Sequence, residues 1–430
     1  LLCFIGFIGI PYILGGFVHV NDIIVGMDIG TSKVCTVIGQ LGKDNQIDIL
    51  GKGMEYCSGV KKGVIVDIEA TADSIRASVH KAEQMANMKV GSAYVNIIGA
   101  HVSITSNRNC VAISAENREI TQKDVERVLY GVKNVNISED REIIDIITKQ
   151  YIIDGYDEII DPVGMMGVKL EVDAQIVAGK ITSVQNIVKS VERTGIKVDG
   201  IVVEALATGQ AALASDEKDM GVILIDVGAG VTDISVYKKQ NLVFYNSLPV
   251  GGEHITNDIS IGLKIPYTDA EKIKKEYRLA LSSLIKNDQE ITVNDLDGNN
   301  KKSVRISEAV EIIEARVYEI ISLCKNLIDG SAAKGGIGAG VVLTGGGISY
   351  SDGVKEIAEE VFELPVRIAS YKSFGIGQPE FATAAGIIKY ISNRHKGSNF
   401  GSDITVQKNN RLPKESGFLG RVSEFIKKIF

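Results

Sequence analysis

The sequence predicts an α/β protein of two lobes built from a duplicated domain. Three stretches predict it. Val222–Tyr237, VILIDVGAGVTDISVY, is an apolar run that ends at Asp226, turns through Gly228 and Gly230, and returns as a second apolar strand. Such a hairpin carries a carboxylate and a row of open amides at its tip, a combination suited to an anion and a hydrated divalent cation. Residues 23–38, IIVGMDIGTSKVCTVI, repeat the pattern around Asp28, Gly30, Thr31 and Ser32. A third glycine turn, Leu343–Ser349 (LTGGGIS), closes another apolar strand, Ala339–Leu343. One such hairpin alone is a plain turn; two of them about half a chain apart mark an internal duplication. Their tips would face each other across a cleft and grip the two sides of one polyphosphate.

At 430 residues the chain has room for two domains with cores of their own. Hydrophobic residues at 45% and charged residues at 23% are the balance of an ordinary globular protein. A net charge of −7 counts against a general nucleic-acid binder. Five cysteines (Cys3, Cys35, Cys57, Cys110, Cys324) lie scattered without a CxxC. That fits a reducing compartment, and neither a disulfide framework nor a zinc site. Residues 1–20, LLCFIGFIGIPYILGGFVHV, lack Asp, Glu, Lys and Arg. They show neither the basic start and cleavage site of a signal peptide nor the basic flanks of a membrane span. Residues 1–22 are therefore read as an over-long gene prediction, with the natural start near Val20.

The first lobe, residues 23–98, opens with strands Ile23–Asp28, Lys33–Leu41 and Ile47–Cys57. Helix Asp67–Met88 follows, with Ile68, Ala72, Ile75, Val79, Ala82 and Ala86 at helical spacing and Asp67 as its cap. Strand Ala93–Ile98 completes this part. Residues 99–179 are a strand-rich, mixed segment, with strands His101–Ser106, Cys110–Ile113, Glu142–Tyr156 and Lys169–Ala178 and a helix begun by Thr121. The lobe resumes over 180–206 with helix Thr182–Thr194 and strand Val198–Val203. The second lobe, 207–391, holds the 222–237 hairpin, strand Leu242–Pro249 and a glycine turn, Gly251–Glu253, into helix His254–Leu263. Its outer part, about 256–330, includes a charged helix Asp269–Ala280, a polar excursion Asn287–Lys302 and a long helix Ser307–Leu327. Helix Phe381–Ile391 ends the lobe. Residues 392–415 have the composition of a disordered linker.

The last fifteen residues, SGFLGRVSEFIKKIF (416–430), place Phe418, Leu419, Val422, Phe425, Ile426, Ile429 and Phe430 on one helical face. Arg421, Lys427 and Lys428 lie on or beside the other. The segment is too short and too charged to span a bilayer and suits its surface.

Three glycine turns in this order resemble the superfamily of actin, DnaK-type chaperones and sugar kinases. The resemblance implies an actin-like two-lobed ATPase fold made of duplicated ribonuclease-H-like domains, with 99–179 as a subdomain inserted in the first lobe and 416–430 as a C-terminal amphipathic helix. Within it, the chain resembles the FtsA family of bacterial cell-division proteins. DIGTSKV (28–34) is similar to that family's first phosphate loop, and residues 140–172, with Asp161-Pro162-Val163-Gly164-Met165, to its inserted subdomain. GGEHITNDI (251–259) and LTGGG (343–347) are similar to its nucleoside loops. The likeness runs from Ile23 to Phe430. Ala229 and Val231 depart from it, standing where the second loop often has Gly and Thr.

The resemblance implies ATP as ligand, with Asp28 and Asp226 holding Mg2+ through water. Amides of Gly30, Thr31, Ser32, Gly228 and Gly230 and the Thr232 hydroxyl would contact phosphate oxygens, and Lys33 would reach a phosphate or turn outward. Gly345, Gly346 and Gly347 would approach the ribose and α-phosphate, with Gly251, Gly252 and Glu253 in a second nucleoside loop. Glu271 and Lys274 match the adenine-side pair; a solvated i,i+3 ion pair accounts for the same residues. Glu204 stands where actin-like relatives place a water-orienting side chain, and an acid favoured at a helix N-terminus accounts for it equally.

The implied function is an ATP-binding protein, with weak ATPase activity at most, that polymerises on the inner face of the cytoplasmic membrane at the division site. There it would meet anionic lipids through 416–430 and the C-terminal peptide of FtsZ through about 256–330. Later division proteins would be recruited through the insertion. Two other readings stand beside it: a PilM-like pilus-assembly scaffold, which normally lacks the terminal helix, and a sugar-kinase-type phosphotransferase. For the latter no further catalytic aspartate motif presents itself.

Overall fold

A computed structural model describes residues 23–42, 46–296, 300–371 and 375–397. The extension 1–22 and the helix 416–430 lie outside the described residues, as does the linker beyond Gly397.

The first lobe begins with an antiparallel meander of β1 (Ile23–Ile29), β2 (Lys33–Leu41) and β3 (Ile47–Tyr56). A short ribbon, β4 (Val60–Lys61) and β5 (Val64–Ile65), leads to α1 (Ile68–Ala86). Asp67 caps this helix, accepting the Ala70 N–H at 3.0 Å. Strand β6 (Ser92–Ile97) then runs parallel to β1.

The insertion follows directly. Its strands are β7 (Val102–Ala112), β8 (Arg141–Ile153), β9 (Tyr156–Ile159) and β10 (Lys169–Lys180), with α2 (Gln122–Val132) between the first two. The sheet order is β7-β10-β8-β9, and α2 closes a separate core of Ile120, Val125, Val128, Leu170, Val172 and Ile176. The expected pair of short strands at 101–113 is one continuous strand. Its polar middle does not break it, because Asn107 and Asn109 donate to the Val132 and Val128 carbonyls of α2, each at 2.9 Å.

Helix α3 (Ile181–Glu192) and strand β11 (Lys197–Val203), parallel to β6, complete a sheet of order β11-β6-β1-β2-β3. Helices α4 (Glu204–Ala212) and α5 (Ser215–Met220) lead out of it. The second lobe repeats the plan. Strands β12 (Val222–Val227), β13 (Thr232–Lys238) and β14 (Asn241–Leu248) form an antiparallel meander. Helices α6 (Gly252–Leu263) and α7 (Tyr267–Tyr277), the ribbon β15 (Glu290–Asn294) and β16 (Lys301–Arg305), and α8 (Ile306–Asp329) follow. Then come β17 (Val341–Thr344), α9 (Val354–Phe362), β18 (Val366–Ile368) and α10 (Ala382–Gly397). The sheet order, β14-β13-β12-β17-β18, is that of the first lobe, with β17 parallel to β12 as β6 is to β1. The duplication expected from the two hairpins is therefore present in the topology. The polar excursion at 287–302 is the β15–β16 ribbon, whose Ile291 and Val293 pack against the second-lobe core.

Helix α10 ends the second lobe in sequence but covers β1 in space. A Cβ on Gly26 would lie 2.1 Å from the Ala384 carbonyl oxygen, so strand and helix meet backbone to backbone. Helices α4 and α10 cross as closely, since a Cβ on Gly386 would lie 1.9 Å from the Ala207 carbonyl oxygen. In turn α4 is tied to the second sheet, its Ala205 carbonyl accepting the Tyr237 hydroxyl of β13 at 2.7 Å. Each lobe thus lends a helix to the other. Helix α10 also continues through Gly397, six residues into the stretch whose polar composition reads as linker. Arg394 accounts for the extension: it grips both oxygens of the buried Asp145 on β8, at 2.5 and 2.6 Å.

Candidate functional site

Strands β1 and β12 are the central strands of their sheets, and each bears its carboxylate one residue before its end. Both tips close with the same bond: the Gly30 N–H donates to the Lys33 carbonyl and the Gly228 N–H to the Val231 carbonyl, each at 2.9 Å. These two amides are consumed by the turns. Those of Thr31, Ser32, Ala229 and Gly230 make no hydrogen bond with another described residue. The tips touch, a Cβ on Gly230 falling 2.7 Å from Thr31 Cγ2. The Thr232 hydroxyl, expected at phosphate, is turned inward to the Val250 carbonyl at 2.8 Å. Lys33 makes an ion pair with Glu380 at 3.2 Å, and Glu380 accepts the Tyr350 hydroxyl at 2.6 Å.

Four carboxyl groups gather behind the tips. Asp28 and Asp226 are half-buried at the strand ends, Glu204 is half-buried at the first position of α4, and Asp233 is buried on β13 opposite Asp226. Asn96 of β6 donates to Asp28 at 2.7 Å and to Glu204 at 3.1 Å. Asp233 accepts the Tyr245 hydroxyl at 2.8 Å, the Ser247 hydroxyl, and the Gly99 N–H at the root of the insertion. Loss of water, together with the charges of Asp226 and Asp233, pushes Asp28 up to about 7. Loss of water and Asp233 push Asp226 up to about 7. Asp233 rises to about 6 through loss of water, against the bonds from Ser247, Tyr245 and Gly99. Glu204 is held well above the carboxylate range by desolvation and then by the other three carboxyls.

A cluster of this kind opposes ionisation in the folded state. Its stabilising contribution is complete below the ordinary carboxyl range near pH 4 and is lost as pH rises through about 6 to 7. Without metal, the thermal unfolding temperature of the wild type relative to Asp226→Asn is expected to fall across that window. Added Mg2+ should restore more of it at the upper end. A difference that stays constant with pH would remove the charge repulsion from the account.

The third glycine turn lies against this floor. Gly345 has φ +92°, and a Cβ there would come 2.4 Å from Asp226 Oδ1, so only glycine fits. The Gly347 N–H donates to the Val227 carbonyl at 2.8 Å, while those of Gly252 and Glu253 donate to the Gly228 and Ala229 carbonyls at 2.9 and 2.8 Å. Three turns are thereby knitted around the end of β12. Glu271 and Lys274 pair at 2.7 Å and are partly buried: Lys274, 12% exposed, also donates to the Gly252 carbonyl and Thr256 hydroxyl at 2.9 and 2.6 Å. Burial pulls the Lys274 ammonium below its usual range. Lys274, Thr256 and Lys275 hold the Glu271 carboxyl low against its own burial.

This donor set suits a hydrated divalent cation. Among the described residues no three His, Cys, Asp or Glu side chains form a direct metal cage. Carboxylates gathered in mutual repulsion beside open amides meet the needs of Mg2+, which keeps several waters, and of the phosphates it accompanies. Asn96, Asp233 and Glu380 went unread in the sequence. The only signals were single polar residues inside apolar strands, at SAYVNI and VTDISVY.

Comparison with known proteins agrees with this geometry. A family model described as cell division protein FtsA matches residues 223–386, and one described as the SHS2 domain inserted in FtsA matches 99–178. A type IV pilus assembly protein PilM model matches 158–284. The chain is 38% identical over 370 residues to the cell division protein FtsA of Bacillus subtilis, covering 86% of this chain and 83% of that one. Against the protein of the same name from Pseudomonas aeruginosa it is 35% identical, covering 90% and 95%; for Escherichia coli K12 the values are 31%, 95% and 99%. Among solved structures, the PilM–PilN type IV pilus biogenesis complex aligns with TM-score 0.57 at 14% identity, over 85% of this chain and 97% of that one. MreB5 of Spiroplasma citri bound to ADP aligns with TM-score 0.52 at 17% identity, over 87% and 99%. At such identities these two report the fold, which is actin-like.

Proposed function

Since the chain belongs to the FtsA family of cell-division proteins, we propose that it binds Mg-ATP between its lobes, polymerises at the cytoplasmic face of the membrane and tethers FtsZ there. The observation that carries the nucleotide part is the meeting of two equivalent hairpin tips, each with its carboxylate behind open amides. Asp28 and Asp226 would hold the cation through water, and Thr31, Ser32, Ala229 and Gly230 would donate to phosphate oxygens. Gly345, Gly346 and Gly347 would lie along the ribose, with Gly251, Gly252 and Glu253 beside them and the Glu271–Lys274 pair fixing the base side. Bound Mg2+ would neutralise phosphate charge. Glu204 would orient a water toward the terminal phosphate.

The outer part of the second lobe, about 256–330, is the candidate surface for the C-terminal peptide of FtsZ. The insertion is the candidate surface for later division proteins and for contacts within a polymer. An exposed apolar run supports the second assignment: Tyr156, Ile160, Val163, Met165, Met166 and Val168, with Ile160 91% exposed. No described helix is long and apolar enough to cross a membrane, and the membrane contact is assigned to residues 416–430.

The test is reconstitution. With Mg-ATP and anionic vesicles, the chain is expected to bring FtsZ filaments to the lipid surface, and photo-crosslinks from the FtsZ C-terminal peptide should fall within 256–330. Absence of FtsZ from the vesicles, or crosslinks confined to 99–179, would refute the tethering assignment.

A further inference from the structure

Strand β6 lies between β1 and β11, and residue 96 is where a side chain can reach both. Asn96 pairs with Val202 on β11, two residues before Glu204, while its neighbour Val95 pairs with Met27, next to Asp28. The side chain is 1% exposed and its orientation is fixed. Its Oδ1 accepts the Ile29 backbone N–H at 2.7 Å, which compels Nδ2 to face the carboxyls and donate to Asp28 Oδ1 and Glu204 Oε2. A leucine of similar size would strand the Ile29 N–H, and an aspartate would set another acid between two that already repel.

We propose that Asn96 is a positioning residue of the site, locking Glu204 to Asp28 so that the water-orienting carboxyl keeps a fixed place relative to the metal-side one. The proposal rests on the Mg-ATP reading above. Asn96 touches no phosphate and no water in this role; it acts through Glu204. Its loss therefore bears on turnover and leaves binding nearly as it was, because Asp28 keeps its charge for the cation and the tips and the third glycine turn are untouched.

Calorimetry with Mg-ATP and single-turnover release of inorganic phosphate separate the two claims. Asn96→Ala is expected to bind Mg-ATP within about threefold of the wild type and to release phosphate about tenfold more slowly or worse. In a Glu204→Gln background the same substitution should add less than about a twofold loss, because the residue it positions is already altered. An unchanged rate in Asn96→Ala, an undiminished effect in the Glu204→Gln background, or an equal fall in affinity and rate would overturn the proposal. Should Asn96→Ala not fold, Asn96→Asp keeps the acceptor for Ile29 and removes the amide donors; a normal rate there overturns the proposal as well. A wild type that binds Mg-ATP without releasing phosphate would end the Asn96 assignment and leave the nucleotide site standing. A wild type that binds no Mg-ATP would end both.

Discussion

Replacing Asp28 and Asp226 together by asparagine is expected to lower Mg-ATP affinity by about a hundredfold or more, roughly 3 kcal/mol, while the metal-free protein becomes harder to unfold at pH 8. The two effects have opposite sign for one reason. The wild-type carboxyls are pushed up to about 7 by lost water and by one another, so near pH 8 the folded chain without a cation holds buried charges whose repulsion unfolding would relieve. Asparagine keeps the shape and removes the charge. It therefore relieves repulsion and removes the attraction for Mg2+ in one step. Calorimetry with Mg-ATP and thermal unfolding in the presence of a chelator read the two arms separately. Unaltered nucleotide affinity in the double variant would eliminate these residues as the metal-side pair.

Deleting residues 416–430 is expected to abolish co-sedimentation with anionic vesicles and to leave Mg-ATP binding as it was. Fifteen residues make a helix of about 22 Å, short of a bilayer, and its apolar stripe suits the boundary between head groups and acyl chains. From Ser392 onward the chain has eight Lys or Arg and three Asp or Glu, a balance of +5 against −7 for the whole, and +3 (six against three) beyond Gly397, where Arg394, held by Asp145, no longer counts. Attraction to an anionic leaflet is therefore concentrated at this end. One such helix holds reversibly, and a polymer would multiply it. Equal sedimentation of the truncated chain would show that the lipid contact lies elsewhere.

The central strands, the two tips and the third glycine turn were legible because each writes its geometry into local sequence: an apolar run, an acid, then glycine. Asp28 and Asp226 stand at the ends of β1 and β12, and Gly345–Gly347 in the turn after β17, where those local signals put them. What escaped depends on partners far along the chain. Nothing near Asn96 announces Glu204, 108 residues away. Nothing near Lys33 announces Glu380. The fate of the Gly30 and Gly228 amides is a matter of turn closure, which glycine permits without dictating its hydrogen bonds. Likewise the SNRHKG end of α10 reads as solvated linker until Asp145 of β8 supplies a partner for its arginine.

The crossing of α4 and α10 has a mechanical meaning. The last described helix packs on β1 of the first lobe and is riveted through Arg394 to the insertion, not to the lobe that precedes it in the chain. Tension applied from beyond Gly397 would thus load β1, the strand bearing Asp28, and β8 of the insertion before it strained the second lobe. The same helix exchange makes the halves inseparable by scission. A chain cut after Gly221 would leave β1 without its cover and β13 without its tie to α4, so neither fragment would carry a finished core.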